Sequence, residues 1–201
     1  MNFTTVENNL KEKGYRVKCF ETASEAVKYL DGEIDGKSVG FGGSVTLGEI
    51  RLFETLKTHN NVSWHMRPPK GKTALETIDA ANKSELYFSS ANAVAETGEI
   101  VNIDGTCNRV SAMLYGHEKV YFVIGSNKLE KDLDSAVFRA RNTAAPLNAK
   151  RLNKKTPCAV NADKCYNCKS EDRICRALTV LWEAPSNGEY EVIIINEKLG
   201  Y

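Results

Sequence analysis

The chain has 201 residues, with Lys+Arg 27 against Asp+Glu 26, 42% hydrophobic and 26% charged. Such a composition supports a full hydrophobic core, and its balanced charge argues against nucleic acid or a membrane surface as partner. No apolar run approaches the roughly 20 residues of a membrane span. The N-terminal residues carry neither the basic nor the apolar region of a secretory signal, so the expected compartment is the cytoplasm.

In chain order, Thr4-Thr5-Val6-Glu7 has capping-box spacing and Gly14 stands at a helix stop, which predicts a helix over about Thr5–Lys13. Tyr15–Phe20 alternates like a short strand, and Thr22-Ala23-Ser24-Glu25 is a second capping box opening a helix to about Leu30. Ser38–Phe41 reads as a buried strand running into Gly42-Gly43-Ser44, with a helix from Val45 to Lys57 beyond it. A weak strand at Val62–Trp64, a helix over Thr73–Asn82 and a strand at Glu85–Ser90 follow. Ile100-Val101 with Ile103 suits a strand paired back through a turn at Thr97-Gly98. Val120–Ile124 is the clearest buried strand; the helix expected after it, Leu129–Ala144, should stop at Pro146. Leu178–Glu183 and Tyr190–Asn196 flank Pro185-Ser186-Asn187-Gly188, which predicts a C-terminal β-hairpin and an antiparallel addition. Helices and strands in alternation argue for one α/β domain over 1–201, with a largely parallel sheet.

Six cysteines in a reducing compartment point to metal or catalysis before disulfides. Cys158, Cys165, Cys168 and Cys175 cluster within a segment at about 156–176, the middle two as a C-x-x-C clip. Four soft ligands suit an iron–sulfur cluster or tetrahedral Zn²⁺, and the spacing does not choose between them. Lys154, Lys155, Lys164, Lys169, Arg173 and Arg176 would offset the charge of four thiolates. Cys19 and Cys107 stand alone and suit small buried hydrophobes equally well.

Gly42, Gly43 and Ser44, with Thr46 and Glu49 beyond, form a glycine turn between strand and helix, where backbone N–H groups can face an anion; a tight turn with Ser44 as N-cap explains the same residues. The run from Asn92 to Arg109 is polar for a strand-forming region. In it, Glu96 and Asp104 are candidate acid–base groups, as is Glu49, and Arg109 is a candidate clamp for a carboxylate or phosphate. Asn102, Asn108 and Lys128, the last in Gly125-Ser126-Asn127-Lys128, are candidate ligand contacts. The competing reading makes the Asn, Asp and Gly residues turn formers and pairs Arg109 with a carboxylate of the chain. His59, His65 and His117 show no metalloprotease or triad spacing and are expected to be surface or structurally satisfied.

Gly42-Gly43-Ser44 with Thr46 and Glu49, Glu96-Thr97-Gly98 through Asp104-Gly105, Asn108-Arg109-Val110, Gly125–Lys128, Thr156-Pro157-Cys158 through Cys175, and Leu199-Gly200-Tyr201 together resemble the LUD (lactate-utilisation) domain family, in its short cysteine-containing type. The resemblance covers nearly the whole chain in order. It implies the fold shared by ribose-phosphate isomerase, glucosamine-phosphate deaminase and CoA transferases, with ligands at strand C-termini. It also implies a role beside iron–sulfur and oxidoreductase partner subunits in oxidising L-lactate or a related 2-hydroxy acid to pyruvate. Cys107 departs from the family pattern, where a small residue such as glycine is expected. A second functional reading is an enzyme acting on a sugar phosphate or CoA ester, with Zn²⁺ bracing the cysteines; a third is an accessory subunit with no turnover alone.

Overall fold

The computed structural model describes residues 3–201. The chain forms α1 (Thr4–Glu12), β1 (Arg16–Phe20), α2 (Ala23–Glu33), β2 (Ser38–Phe41), α3 (Val45–Glu49), α4 (Leu52–Leu56), β3 (Asn61–Trp64), α5 (Ala74–Ala81) and β4 (Leu86–Ser89). It continues as β5 (Ala93–Ala95), β6 (Ile100–Asp104), α6 (Asn108–Leu114), β7 (Lys119–Gly125), β8 (Leu129–Glu130), α7 (Leu133–Arg139), α8 (Ala145–Arg151), α9 (Pro157–Asn161), β9 (Ala177–Leu181) and β10 (Glu189–Ile195).

Six strands make a parallel sheet in the order β1-β10-β7-β4-β2-β3. Alternate residues of β7 supply its two faces. Val120, Phe122 and Ile124 pack with Val6 and Leu10 of α1 and Val110 and Met113 of α6. Tyr121 and Val123 face the other way, among Leu30, Leu47, Leu52 and Leu56 of the helices opposite. Period-two side chains on a sheet covered on both faces explain why the central strands read as unbroken apolar runs. The α/β expectation, with a mainly parallel sheet, is therefore met.

A second sheet, β8-β5-β6-β9, is mostly antiparallel; it buries Ala93, Ala95 and Val101 against Ala136 of α7 and Ala140. It also corrects the C-terminal hairpin. β9 pairs with β6, whereas β10 crosses to the large sheet and lies parallel between β1 and β7. The reason is burial: Tyr190–Ile195 is buried at every position, which only an interior strand can use, while β9 is largely half-exposed. The Pro185–Gly188 segment is a link between sheets.

Other boundaries move for identifiable reasons. The Thr22–Glu25 box forms with both reciprocal hydrogen bonds. The expected Thr4–Glu7 box does not, because α1 begins one residue early, with Phe3 as its N-cap. The Val45–Lys57 helix is broken at Arg51, which has φ 57°. In one continuous helix Leu47 and Leu52 would point about 140° apart; the break lets both be fully buried. Pro146 does not stop the long helix. Ala140–Ala144 forms a π-helical turn, and Pro146 lies in the first turn of α8, where its missing N–H has no required acceptor.

A cavity at the carboxyl ends of the strands

Parallel strands deliver their following loops to one edge of the sheet, and here five of them converge. β2 leads to Gly42-Gly43-Ser44, β3 to His65, β4 to Ser90 and β7 to the 3₁₀ turn Ser126–Lys128; the chain beyond β10 ends at Tyr201. Between them lies a cavity of about 430 Å³, closed on a further side by residues 171–174 and Arg176 of the cysteine segment.

Lys128 forms its floor. The side chain is only 3% exposed. Its Nζ donates to Thr46 Oγ1 at 2.8 Å and Ser90 Oγ at 2.9 Å. Among the described residues no carboxylate forms an ion pair with it, in contrast to Arg109 and Arg139. Burial, helped by the nearby charges of Arg139 and Arg109, pulls the ammonium down from its ordinary value to about 7. The C-terminal tail is tied over this floor: Leu199 N donates to Asn127 Oδ1 at 3.0 Å and Gly200 N to Glu49 Oε2 at 2.6 Å. Gly200, at φ +60°, runs so close that a Cβ there would stand 2.5 Å from Thr46 Oγ1.

Arg109 occupies the cavity wall, yet its guanidinium is largely spent. It donates to Ser90 O at 3.2 Å, Asn102 Oδ1 at 2.9 Å and Ile103 O at 2.8 Å, and its Nε faces Asp104 Oδ2 at 3.4 Å. Asp104 Oδ1 accepts from the N–H groups of Gly105 and Cys107. A bidentate clamp on a ligand would require these bonds to break, so Arg109 braces the loop that carries it. Gly42 serves the same brace, since a Cβ there would meet Arg109 Cγ and Tyr87 Oη at 2.9 Å. Asn102 is buried, accepting from Asn92 N as well as Arg109. Cys107 stands at φ 62°, the left-handed region where glycine is at ease, which accounts for the small residue expected at that position.

The structure thus gathers Gly43, Ser44, Thr46, Asp104, Asn108, Arg109 and Lys128 around one cavity and sets Gly42 and Asn102 behind it. Ser44 Oγ accepts from Leu47 N at 3.2 Å as an N-cap. Asn108 is partnered by the Thr106 hydroxyl. Two candidates fall elsewhere. Glu49 is exposed and anchors Gly200, and Glu96 sits in the exposed turn at the far end of β5, roughly 13 Å of strand from Asn92. Neither lines the cavity.

Sequence reasoning missed His65, Arg151 and Tyr201. His65 is half-buried in the wall, and burial lowers its pKa from the ordinary value. Arg151 Nε donates to Tyr201 Oη at 2.7 Å and its Nη2 to Asn148 Oδ1 at 2.8 Å, so α8 and the chain end share one cationic corner. The one usable signal was position: His65 directly follows a strand. Of the other histidines, His59 bridges Asp31 and Asp35, as expected for a satisfied residue. His117 is buried, with Nδ1 meeting Ser84 O at 2.7 Å and Nε2 without a partner among the described residues, so it is only half satisfied.

The cysteine segment runs from α9 to β9 with no helix or strand between 162 and 176. All four thiols are free and half-exposed. Cys165 Sγ accepts from Asn167 N at 3.3 Å and lies 3.9 Å from Arg141 Nη2. Cys165 and Cys175 line a smaller cavity, which shares Ile103, Arg173 and Arg176 with the first. Among the described residues no three His, Cys, Asp or Glu side chains stand together as a ligand set. The donor chemistry therefore suits a soft metal or cluster, while the arrangement does not assemble one.

Against known families, the LUD domain model matches residues 4–195. The chain belongs to the LUD domain family. That family is associated with lactate-utilisation proteins, so the resemblance read from the motifs is met at this level. A crystal structure of a DUF162 family protein from Deinococcus radiodurans is similar in fold to this LUD chain, with a TM-score of 0.55 at 10% identity over 96% of this chain and 95% of that one. A comparison with curated proteins finds no match. No helix among the described residues is long and apolar enough to cross a membrane.

Proposed function

We propose that this LUD protein binds a small 2-hydroxy or 2-oxo carboxylate in the strand-end cavity, as a component of L-lactate-type oxidation to pyruvate. One observation carries the reading: Lys128 is buried on the cavity floor with hydroxyl partners and, among the described residues, no carboxylate within ion-pair distance. A buried ammonium without a counter-ion is costly, and a bound anion supplies the missing charge. Arg151, Arg173 and Arg176 give the rest of the lining a cationic bias that favours the same class of ligand.

The two electrons released when a 2-hydroxy acid becomes a 2-oxo acid leave to iron–sulfur and oxidoreductase partner subunits. Cys158, Cys165, Cys168 and Cys175 are the residues that would hold an iron–sulfur cluster or Zn²⁺ in this chain, and a cluster there would supply one-electron transfer. Their soft-donor chemistry supports the assignment.

The test is ligand-dependent melting of the protein with lactate, pyruvate, glycolate, inorganic phosphate, a sugar phosphate and CoA. A rise with the small carboxylates, lost in Lys128→Met, supports the reading. Stabilisation by phosphorylated ligands alone would replace it with the sugar-phosphate or CoA-ester reading, and no shift with any of them would end both.

A further inference from the structure

We propose that Lys128 captures the carbonyl of a 2-oxo acid covalently, as an imine, in the same cavity. The inference rests on the ligand class proposed above and adds a chemical step to it. Three features of the site carry it. Lys128 stands at the end of β7, an interior strand of the large sheet, and is held by a 3₁₀ turn, so its side chain is fixed by the fold and not by a mobile loop. Its Nζ contacts only hydroxyl partners, Thr46 Oγ1 and Ser90 Oγ, each able to accept or donate a proton. Among the described residues no carboxylate forms an ion pair with it; Glu49, which favours the ammonium, acts only from a distance and is bonded to Gly200 N.

Burial adds a population of free amine at neutral pH, the condition a lysine needs to act as a nucleophile. In the step, the Nζ lone pair adds to the 2-oxo carbon and the carbonyl oxygen takes up a proton. The amine then loses its remaining protons as the oxygen departs as water, leaving a carbon–nitrogen double bond. Thr46 and Ser90 are placed to pass protons from Nζ to the departing oxygen, and no redox partner is needed. Arg151, whose Nε and Nη2 are held by Asn148 and Tyr201, lines the same cavity and would face the ligand's carboxylate with Nη1.

The experiment is incubation of the full-length protein with pyruvate and sodium cyanoborohydride, which reduces an imine to a stable secondary amine, followed by peptide mass mapping. The expected result is a carboxyethyl adduct on the peptide carrying Lys128, formed in preference to the exposed lysines, rising in yield from pH 6 to pH 8 and suppressed by excess lactate. Lys128→Arg, which cannot form the adduct, should lose the modification, whereas Lys131→Arg, at an exposed position, should leave both the adduct and the pyruvate-dependent rise in melting temperature as in wild type. If pyruvate stabilises the wild-type protein but the label is absent from Lys128, the covalent step is wrong and the carboxylate-binding reading stands. If pyruvate and lactate neither stabilise nor label, both fall together.

Discussion

The floor and the side wall of the cavity are built by opposite means. The floor brings Lys128, Thr46 and Ser90 together from the turn, helix and loop that follow parallel strands, all buried, with Lys128 within hydrogen-bond reach of both hydroxyls. The wall, residues 162–176, has no helix or strand and is held by isolated bonds, such as Arg173 Nη1 to Cys168 O at 2.9 Å and Arg176 N to Asp104 O at 2.9 Å. Strands fix side chains because every backbone group is already paired. A loop of this kind keeps its shape only through the particular side chains that bridge it. The difference separates a cavity floor fixed by buried hydrogen bonds from a segment held by a few bridging side chains.

The sharpest way to break this contrast is at Arg109. Arg109→Met removes the charge facing Asp104 and the donor to Ser90 O, Asn102 Oδ1 and Ile103 O, and the expected cost is about 3–5 kcal/mol by denaturant unfolding. A loss below about 1 kcal/mol would mean that the loop is not braced as described.

Lys128→Met should act in the other direction, stabilising the ligand-free protein at pH 7 by about 1–4 kcal/mol, because a buried unpaired charge is replaced by an apolar chain of similar length. It should also abolish the carboxylate-dependent shift in melting. The pH dependence has a definite sign. Lys128 titrates near 7 when folded against an ordinary value of 10.5, so between these pH values the unfolded chain binds the extra proton and the wild-type protein gains stability as pH rises. The advantage of Lys128→Met is therefore greatest below pH 7 and shrinks toward pH 10.5. An advantage that grows over that range would refute the buried, unpaired amine.

Gly43→Ala probes the junction of floor and loop. Its Cβ would come 3.2 Å from His65 Nε2, so a small weakening of carboxylate affinity is expected, worth about 1 kcal/mol in a titration. The smallest effect belongs to the wall. In metal-free protein, Cys165→Ser with Cys168→Ser should change stability by less than about 0.5 kcal/mol, since both thiols are half-exposed. The same pair should abolish retention of iron or zinc after anaerobic purification, measured by elemental analysis. Equal metal content in wild type and variant would remove the cysteines as its ligands.

Much of the architecture was legible because it rests on local patterns. The Thr22–Glu25 cap, the buried run Val120–Ile124 and the Gly42–Ser44 turn between strand and helix each follow from residues next to one another in the chain. The exceptions have nonlocal causes. Pro185–Gly188 carries strong hairpin chemistry, yet the apolar demand of Tyr190–Ile195 is met only between β1 and β7, strands far away in sequence. Arg109 has the chemistry of an anion clamp until Ser90, Asn102 and Ile103 are seen to occupy it. Glu49 and Glu96 match a proton-handling residue by type, and only their places relative to the cavity set them aside.

Alternating apolar runs, caps and glycine turns determined that this chain forms an α/β fold, that its ligand loops follow strands, and that four thiols share one segment. Those features depend on neighbours within a few residues and survive in the linear order of the chain. What tertiary structure decided was which charges meet which partners: Arg109 bound to its own backbone and Lys128 buried against two hydroxyls. Desolvation and pairing are properties of the space around a group, and that space is assembled from residues remote in the chain.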